Sequence, residues 1–297
     1  MKPTHNPLII LITGCSSGFG LLTAARLASR GHRVIASMRD LNKKGALLDE
    51  VKTRGGEVDC VRLDVIDKNS VKTAIAEVAT KHGFIDVLVN NAGYGIGGAF
   101  EDLTDEEIRQ QFETNFFGVQ NMCRAVIPLM RPRRKGKIIN ISSVAGFSTS
   151  PCFSAYNASK WALEAFSESL RYELKFFGID VLLIEPGTYK TKIFYENAKY
   201  AKNFHNENSP YYELSKHLER RVKDYVDDCH KESEVVAALV EKLIYAPKPA
   251  FRNIPDIESQ VLYCLRRALP FGLYSLIIQR GIFHGLKIFP NGQKTVP

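Results

Sequence analysis

A chain of 297 residues, 45% hydrophobic and 24% charged, with no low-complexity tract or internal repeat, is long enough to bury a stable core and is neither disordered nor fibrous. Its six cysteines (15, 60, 123, 152, 229 and 264) are scattered without a Cys-x-x-Cys pair, so free thiols in a reducing, cytoplasmic setting are expected. The formal charge is +8, and a net +5 of it falls after residue 247, where seven Lys/Arg face only Asp256 and Glu258.

That asymmetry suggests an anionic partner for the tail, with a membrane surface the leading candidate and a solvated basic surface the plain alternative. No nucleic-acid-binding motif accompanies the charge, so no nucleic-acid partner is expected. The seven histidines show no ligand spacing, and no protein-built metal site is expected. The apolar runs Leu8–Ile12 and 268–279 are too short for a leader or a bilayer span.

In chain order, Leu8–Ile12 reads as a central strand buried on both faces. It enters Thr13-Gly14-Cys15-Ser16-Ser17-Gly18-Phe19-Gly20, and a periodic helix follows. Strand, glycine turn and helix N-terminus form the geometry that holds a pyrophosphate. Close helix–strand packing is the bland reading of the same glycines. Val34–Met38 is the next strand, followed by Arg39-Asp40. Arg39, a planar phosphate donor, favours NADP; Asp40 keeps NAD open.

Val58–Leu63 reads as a third strand, ending at Asp64-Val65. Asp64 either accepts from an adenine amino group or caps the helix beginning near Lys68. Ile85–Val89 opens into Asn90-Asn91-Ala92-Gly93, whose small residues admit a flat ligand. Thr104-Asp105-Glu106-Glu107 has capping-box form and starts a helix on which Asn115 lies unfavourably mid-helix.

Ile138–Ile141 is the fifth strand, with Ser142-Ser143 at its end, and Val181–Ile184 the sixth, closed by Glu185-Pro186-Gly187-Thr188. Six strands alternating with helices predict a doubly wound α/β fold, a parallel sheet with helices on both faces. All the candidate residues then collect at one crevice, along the strands' carboxyl ends.

Tyr156-Asn157-Ala158-Ser159-Lys160 heads a long amphipathic helix. At i and i+4, the phenol and the ammonium share a face. A fixed cation there is expected to draw the phenol down towards a value useful for proton transfer. Residues 1–254 read as one catalytic domain, with an aromatic and charged flap over about 189–230, a helix near Glu232–Tyr245 and a basic amphipathic extension at 255–297. The extension's stripe of Ile257, Val261 and Leu265 either covers the pocket, packs on the core or lies in a membrane interface.

In order, Thr13-Gly14-x-x-x-Gly18-x-Gly20, Asp64, Asn90-Asn91-Ala92-Gly93, Asn115, Ser143, Tyr156-x-x-x-Lys160 and Pro186-Gly187-x-x-x-Thr191 resemble the classical short-chain dehydrogenases/reductases over roughly residues 7–191. Gly-Cys-Ser-Ser-Gly and Met38-Arg39-Asp40-Leu41 resemble the branch of 17β-hydroxysteroid and retinol dehydrogenases. The resemblance implies a Rossmann fold and an NADP(H)-dependent enzyme acting on a lipophilic alcohol or its ketone or aldehyde. It implies Asn115, Ser143, Tyr156 and Lys160 as catalytic residues, with Tyr156 passing the proton and Asn115 holding a water beside Lys160. For the cofactor it implies Gly14, Ser16, Ser17, Gly18, Phe19, Gly20, Arg39, Asp64, Val65, Asn91, Ala92, Gly93, Tyr156, Lys160, Pro186, Gly187 and Thr191. It also implies a homodimer or homotetramer. Reduction of a small polar or acyl-thioester ketone, and NADP(H) sensing without turnover, are the alternatives.

Overall fold

The computed structural model describes residues 6–189, 199–284 and 286. β1 (Ile9–Ile12) leads through the glycine turn into α1 (Gly18–Ser29), followed by β2 (Arg33–Met38), α2 (Gly45–Thr53), β3 (Val58–Arg62), α3 (Lys68–His82) and β4 (Val87–Asn90). Next come the short β5 (Ile96–Gly97), α4 (Asp105–Phe112), a π turn (Glu113–Phe117), α5 (Gly118–Met130), β6 (Gly136–Ile141), α6 (Ser154–Leu174) and β7 (Ile179–Ile184). The remaining described elements are β8 (Lys199–Tyr200), α7 (Tyr212–Asp227), α8 (Glu234–Tyr245), β9 (Arg252–Asn253), α9 (Ile257–Ala268) and α10 (Phe271–Phe283).

The main sheet has the order β3-β2-β1-β4-β6-β7-β9, and every pairing is parallel. Along β1, Ile9 and Leu11 face a core shared with α3, α5 and α6, while Ile10 and Ile12 face one shared with α1, α2 and α8. The pleat alone produces this alternation, so a wholly apolar run is what a strand covered on both sides requires. The chain builds outward from β1 to β3 and returns to place β4 beside β1. The crevice at their carboxyl ends is therefore the topological switch point of the sheet.

Two details depart from the sequence-based expectation. The sheet has a seventh strand, β9, only two residues long and held by pairing Leu183 with Arg252 and Ile184 with Asn253. Within the expected flap, residues 212–227 form α7, which buries Ser215, His217, Leu218 and Val226. The flap's Phe194 and Tyr195 lie outside the described residues. Thr104 and Glu107 form the expected capping box.

Candidate active site

The glycine turn is shaped by contact. Gly14 (φ +73°) and Gly18 (φ +58°) occupy the left-handed region that a side chain disfavours. A Cβ on Gly14 would lie 2.8 Å from Ala92 Cα, and one on Gly20 would lie 2.4 Å from Asn91 Nδ2 and 2.5 Å from Gly14 O. Asn91 clamps this turn, its Nδ2 donating to Thr13 O (2.9 Å) and Gly14 O (3.0 Å). Thr13 Oγ1 accepts from the Asn91 and Ala92 amides at 3.0 Å each. Ser17 stands at the N-cap of α1 without a side-chain cap, so the first amides of that helix are open to an anion. Ser16, Ser17 and Gly18 line an open cleft, and the Phe19 ring sits edge-on to Tyr189 at 5.6 Å.

At the end of β2, Arg39 is exposed. Asp40 is engaged locally, its carboxylate accepting from Asn42 N at 3.0 Å as the cap of the following turn. The two readings of Asp64 separate here: Asp67 caps α3, accepting from Asn69 N at 2.8 Å. The Asp64 carboxylate braces its own loop, accepting from Ile66 N (3.2 Å). Val65 is buried, and its side chain would clash with a Cβ on Gly118. Gly93 lies against Asn115, whose Oδ1 would be 3.1 Å from an added Cβ. A glycine turn with no room for a side chain, an uncapped helix start and an exposed guanidinium fit a dinucleotide, which supplies the hydride when bound.

Asn115 is buried in the π turn, a local bulge that often marks functional positions. Its Nδ2 donates to Tyr94 O (2.9 Å) and Ser159 Oγ (3.1 Å), and its Oδ1 accepts from Tyr94 N (3.1 Å). The side chain thus fastens the loop after β4 to α6. Ser143 lies two residues past β6, and its Oγ accepts from Ala145 N at 3.1 Å. Lys160 is buried and donates from Nζ to Ile141 O at 2.9 Å; burial pulls it down to about 8, against the pull of Glu164.

The structure corrects the electrostatic expectation for Tyr156. Its phenol stands above the ordinary value because of desolvation, and the hydrogen bond with Ser143 draws it back. Lys160 Nζ, 5.9 Å from the Tyr156 ring centroid, is not among the causes of the shift. Burial of the phenol, not the neighbouring ammonium, decides the direction. Tyr156 and Ser143 still present two hydroxyls to one point, as proton transfer and oxyanion stabilisation to a carbonyl oxygen require.

Beyond Tyr156 lies a chamber of about 80 Å³, partly open to solvent. Phe153, Phe204, Leu218 and Val222 make it apolar, with Lys199 and Glu219 as its charged lining. Cys152 on its wall has a strained φ of +58°. Pro186 O accepts from Val144 N (3.0 Å), and Gly187 N donates to Asp256 Oδ2 (3.3 Å), which ties this loop to the cap of α9. Thr191 lies outside the described residues.

One cluster escaped the sequence reading. Arg252 on β9 pairs with Glu164 on α6 and with Glu185 at the end of β7. Both glutamates are buried, and burial pushes both carboxyls up. Glu164 follows Lys160 by one helical turn; that spacing was its only signal.

Residues 8–201 match the family model described as short chain dehydrogenase. A 3-ketodihydrosphingosine reductase of Bacteroides thetaiotaomicron is 38% identical over 283 residues, 95% of this chain and 99% of that protein. Retinol dehydrogenase 8 of Bos taurus is 41% identical over 194 residues, 63% of this chain and 60% of that protein. The crystal structure of a short chain dehydrogenase/reductase from Burkholderia phymatum in complex with NAD superposes with a TM-score of 0.77 at 26% identity, covering 90% of this chain and 94% of that one. The chain belongs to the short-chain dehydrogenase/reductase family and is an oxidoreductase of the classical type.

Proposed function

We propose that this enzyme interconverts a lipophilic alcohol and its ketone or aldehyde with NADP(H). The observation that carries this reading is the shared wall: the Tyr156 ring lines the same chamber as Phe153, Phe204, Leu218 and Val222. In the reductive direction Tyr156 gives its proton to the substrate oxygen, and Ser143 donates a hydrogen bond to the developing alkoxide. Lys160 would hold the cofactor's ribose hydroxyls and keep a positive charge near the reacting centre. 3-Ketodihydrosphingosine, named for the Bacteroides relative, is the first substrate to try. Glu219, which makes no ion pair among the described residues, would favour one with a cationic head.

NADP over NAD rests on Arg39. Its guanidinium is exposed at the end of β2, whereas the Asp40 carboxylate is already accepting a backbone amide. We assign the enzyme to the cytoplasm, in keeping with its six free thiols. We assign it a homodimer or homotetramer, for which Phe117 of the π turn and Trp161 of α6 offer exposed apolar area.

The experiment is a panel of long-chain ketones, steroids, retinoids and acetoacetyl thioesters, followed by NADPH and NADH absorbance. Turnover confined to the lipophilic members supports the reading. Turnover confined to the thioesters replaces it.

A further inference from the structure

We infer that α9 and α10 form a docking surface for an anionic lipid bilayer, beside the substrate chamber. α9 buries only Ser259, and α10 only Tyr274. Ile257, Val261 and Leu265, one per turn of α9, are 77%, 52% and 37% exposed. On α10 Phe271 is 67% exposed, Leu273 49% and Ile277 45%. Large exposed apolar side chains that recur along two successive helices, rather than singly, mark a binding surface.

The charges on these helices are sorted by partner. The two carboxylates of the segment are neutralised from the protein side: Lys231 Nζ lies 3.0 Å from Asp256 Oδ1 and 2.6 Å from Glu258 Oε2. Arg266, Arg267 and Arg280 make no ion pair among the described residues. The Arg266 guanidinium lies over the Phe271 and Tyr274 rings, at 5.4 and 5.2 Å from their centroids, and that of Arg267 over Tyr263 at 5.7 Å. Unpaired arginines flanking exposed apolar side chains complement a headgroup layer of negative charge above hydrocarbon. No helix among the described residues is long and apolar enough to cross a membrane, so the contact is peripheral.

The anchoring of α10 connects this surface to the site. Tyr274 Oη and Ser148 Oγ are 2.5 Å apart. His217 Nε2 lies 3.1 Å from Ile282 O, and Arg221 Nη2 donates to Gly281 O at 3.0 Å. Both residues belong to α7, which supplies Leu218, Glu219 and Val222 to the chamber wall. A bilayer engaged by α10 therefore lies one helix away from the chamber. The surface stands whether or not the substrate is a lipid.

The test is flotation of the full-length enzyme with vesicles of phosphatidylcholine alone and of phosphatidylcholine with added phosphatidylserine. Comparison variants are Arg267→Gln/Arg280→Gln and Val261→Ser/Ile277→Ser, with oligomeric state and NADPH affinity measured as controls of folding. Wild type floats with the anionic vesicles and much less with the neutral ones. The arginine variant binds roughly tens-fold more weakly, about fivefold per charge removed, and the serine variant also loses binding. Three results would overturn the inference: no flotation of wild type, variants that float as well as wild type, or a face that closes a dimer and leaves vesicles unbound.

Discussion

Arg252 Nη1 donates to Glu185 Oε1 at 2.6 Å, joining a two-residue edge strand to the strand end that carries Pro186-Gly187. The same nitrogen pairs with Glu164, so one guanidinium serves two buried carboxyls. Arg252→Met removes the guanidinium both carboxyls share, and breaking a buried pair from one side costs about 3–5 kcal/mol. The urea midpoint should fall accordingly, and Glu164→Gln in the Arg252→Met background should recover part of the loss. An unchanged midpoint would show that the cluster does not hold β9.

The same cluster sets a pH dependence. Burial raises the Glu164 and Glu185 carboxyls above the ordinary carboxylate range, and the charge of Glu164 adds to the rise at Glu185. Between the ordinary and the raised value the folded chain binds more protons than the unfolded one, so stability falls as pH rises. Glu185→Gln imitates the protonated carboxyl. Its melting temperature should match wild type near pH 5 and exceed it above pH 8, as calorimetry across that range would show. Parallel curves would show that Glu185 does not hold a proton in the folded chain near neutral pH.

The glycine cradle predicts a steric result. Gly20→Ala drives a methyl to 2.5 Å from Gly14 O and against the Asn91 amide. Overpacking of this kind costs typically 1–3 kcal/mol. It also displaces the turn on which the pyrophosphate would rest, so cofactor affinity should fall more than substrate affinity. Isothermal titration with NADPH checks this; wild-type affinity would place the dinucleotide elsewhere.

Cofactor choice is tested at Arg39. A hydrogen bond to a charged group is worth about 1.5–3 kcal/mol, so Arg39→Ala should weaken NADPH by roughly 10- to 100-fold and leave NADH nearly unchanged. Equal losses for both would remove the 2′-phosphate assignment.

How far the sequence spoke depends on the range of each interaction. Leu8–Ile12 and Val34–Met38 announce central strands because burial on both faces demands unbroken apolar runs, and Thr104 with Glu107 announces a helix start because a capping box spans three residues. β9 carries no such pattern: two residues, held by a neighbour some seventy positions away. Arg252 likewise meets Glu164 only through the fold. Asn115 drew notice for its place mid-helix, but its bonds to Tyr94 and Ser159 depend on how the loop after β4 docks. The i, i+4 spacing of Tyr156 and Lys160 was correct, and the inferred pull on the phenol was not. Spacing says nothing of burial, and burial decides the sign. The stripe on α9 was legible as a stripe; its exposure became visible only once α9 had been placed.

The most direct measurement is steady-state turnover of Tyr156→Phe, with NADPH binding followed separately by fluorescence. The phenol ring stays and its proton goes. The account predicts a fall in kcat of about 10²–10⁴-fold or more, with NADPH affinity close to wild type. A variant that turns over near the wild-type rate would mean that another group passes the proton.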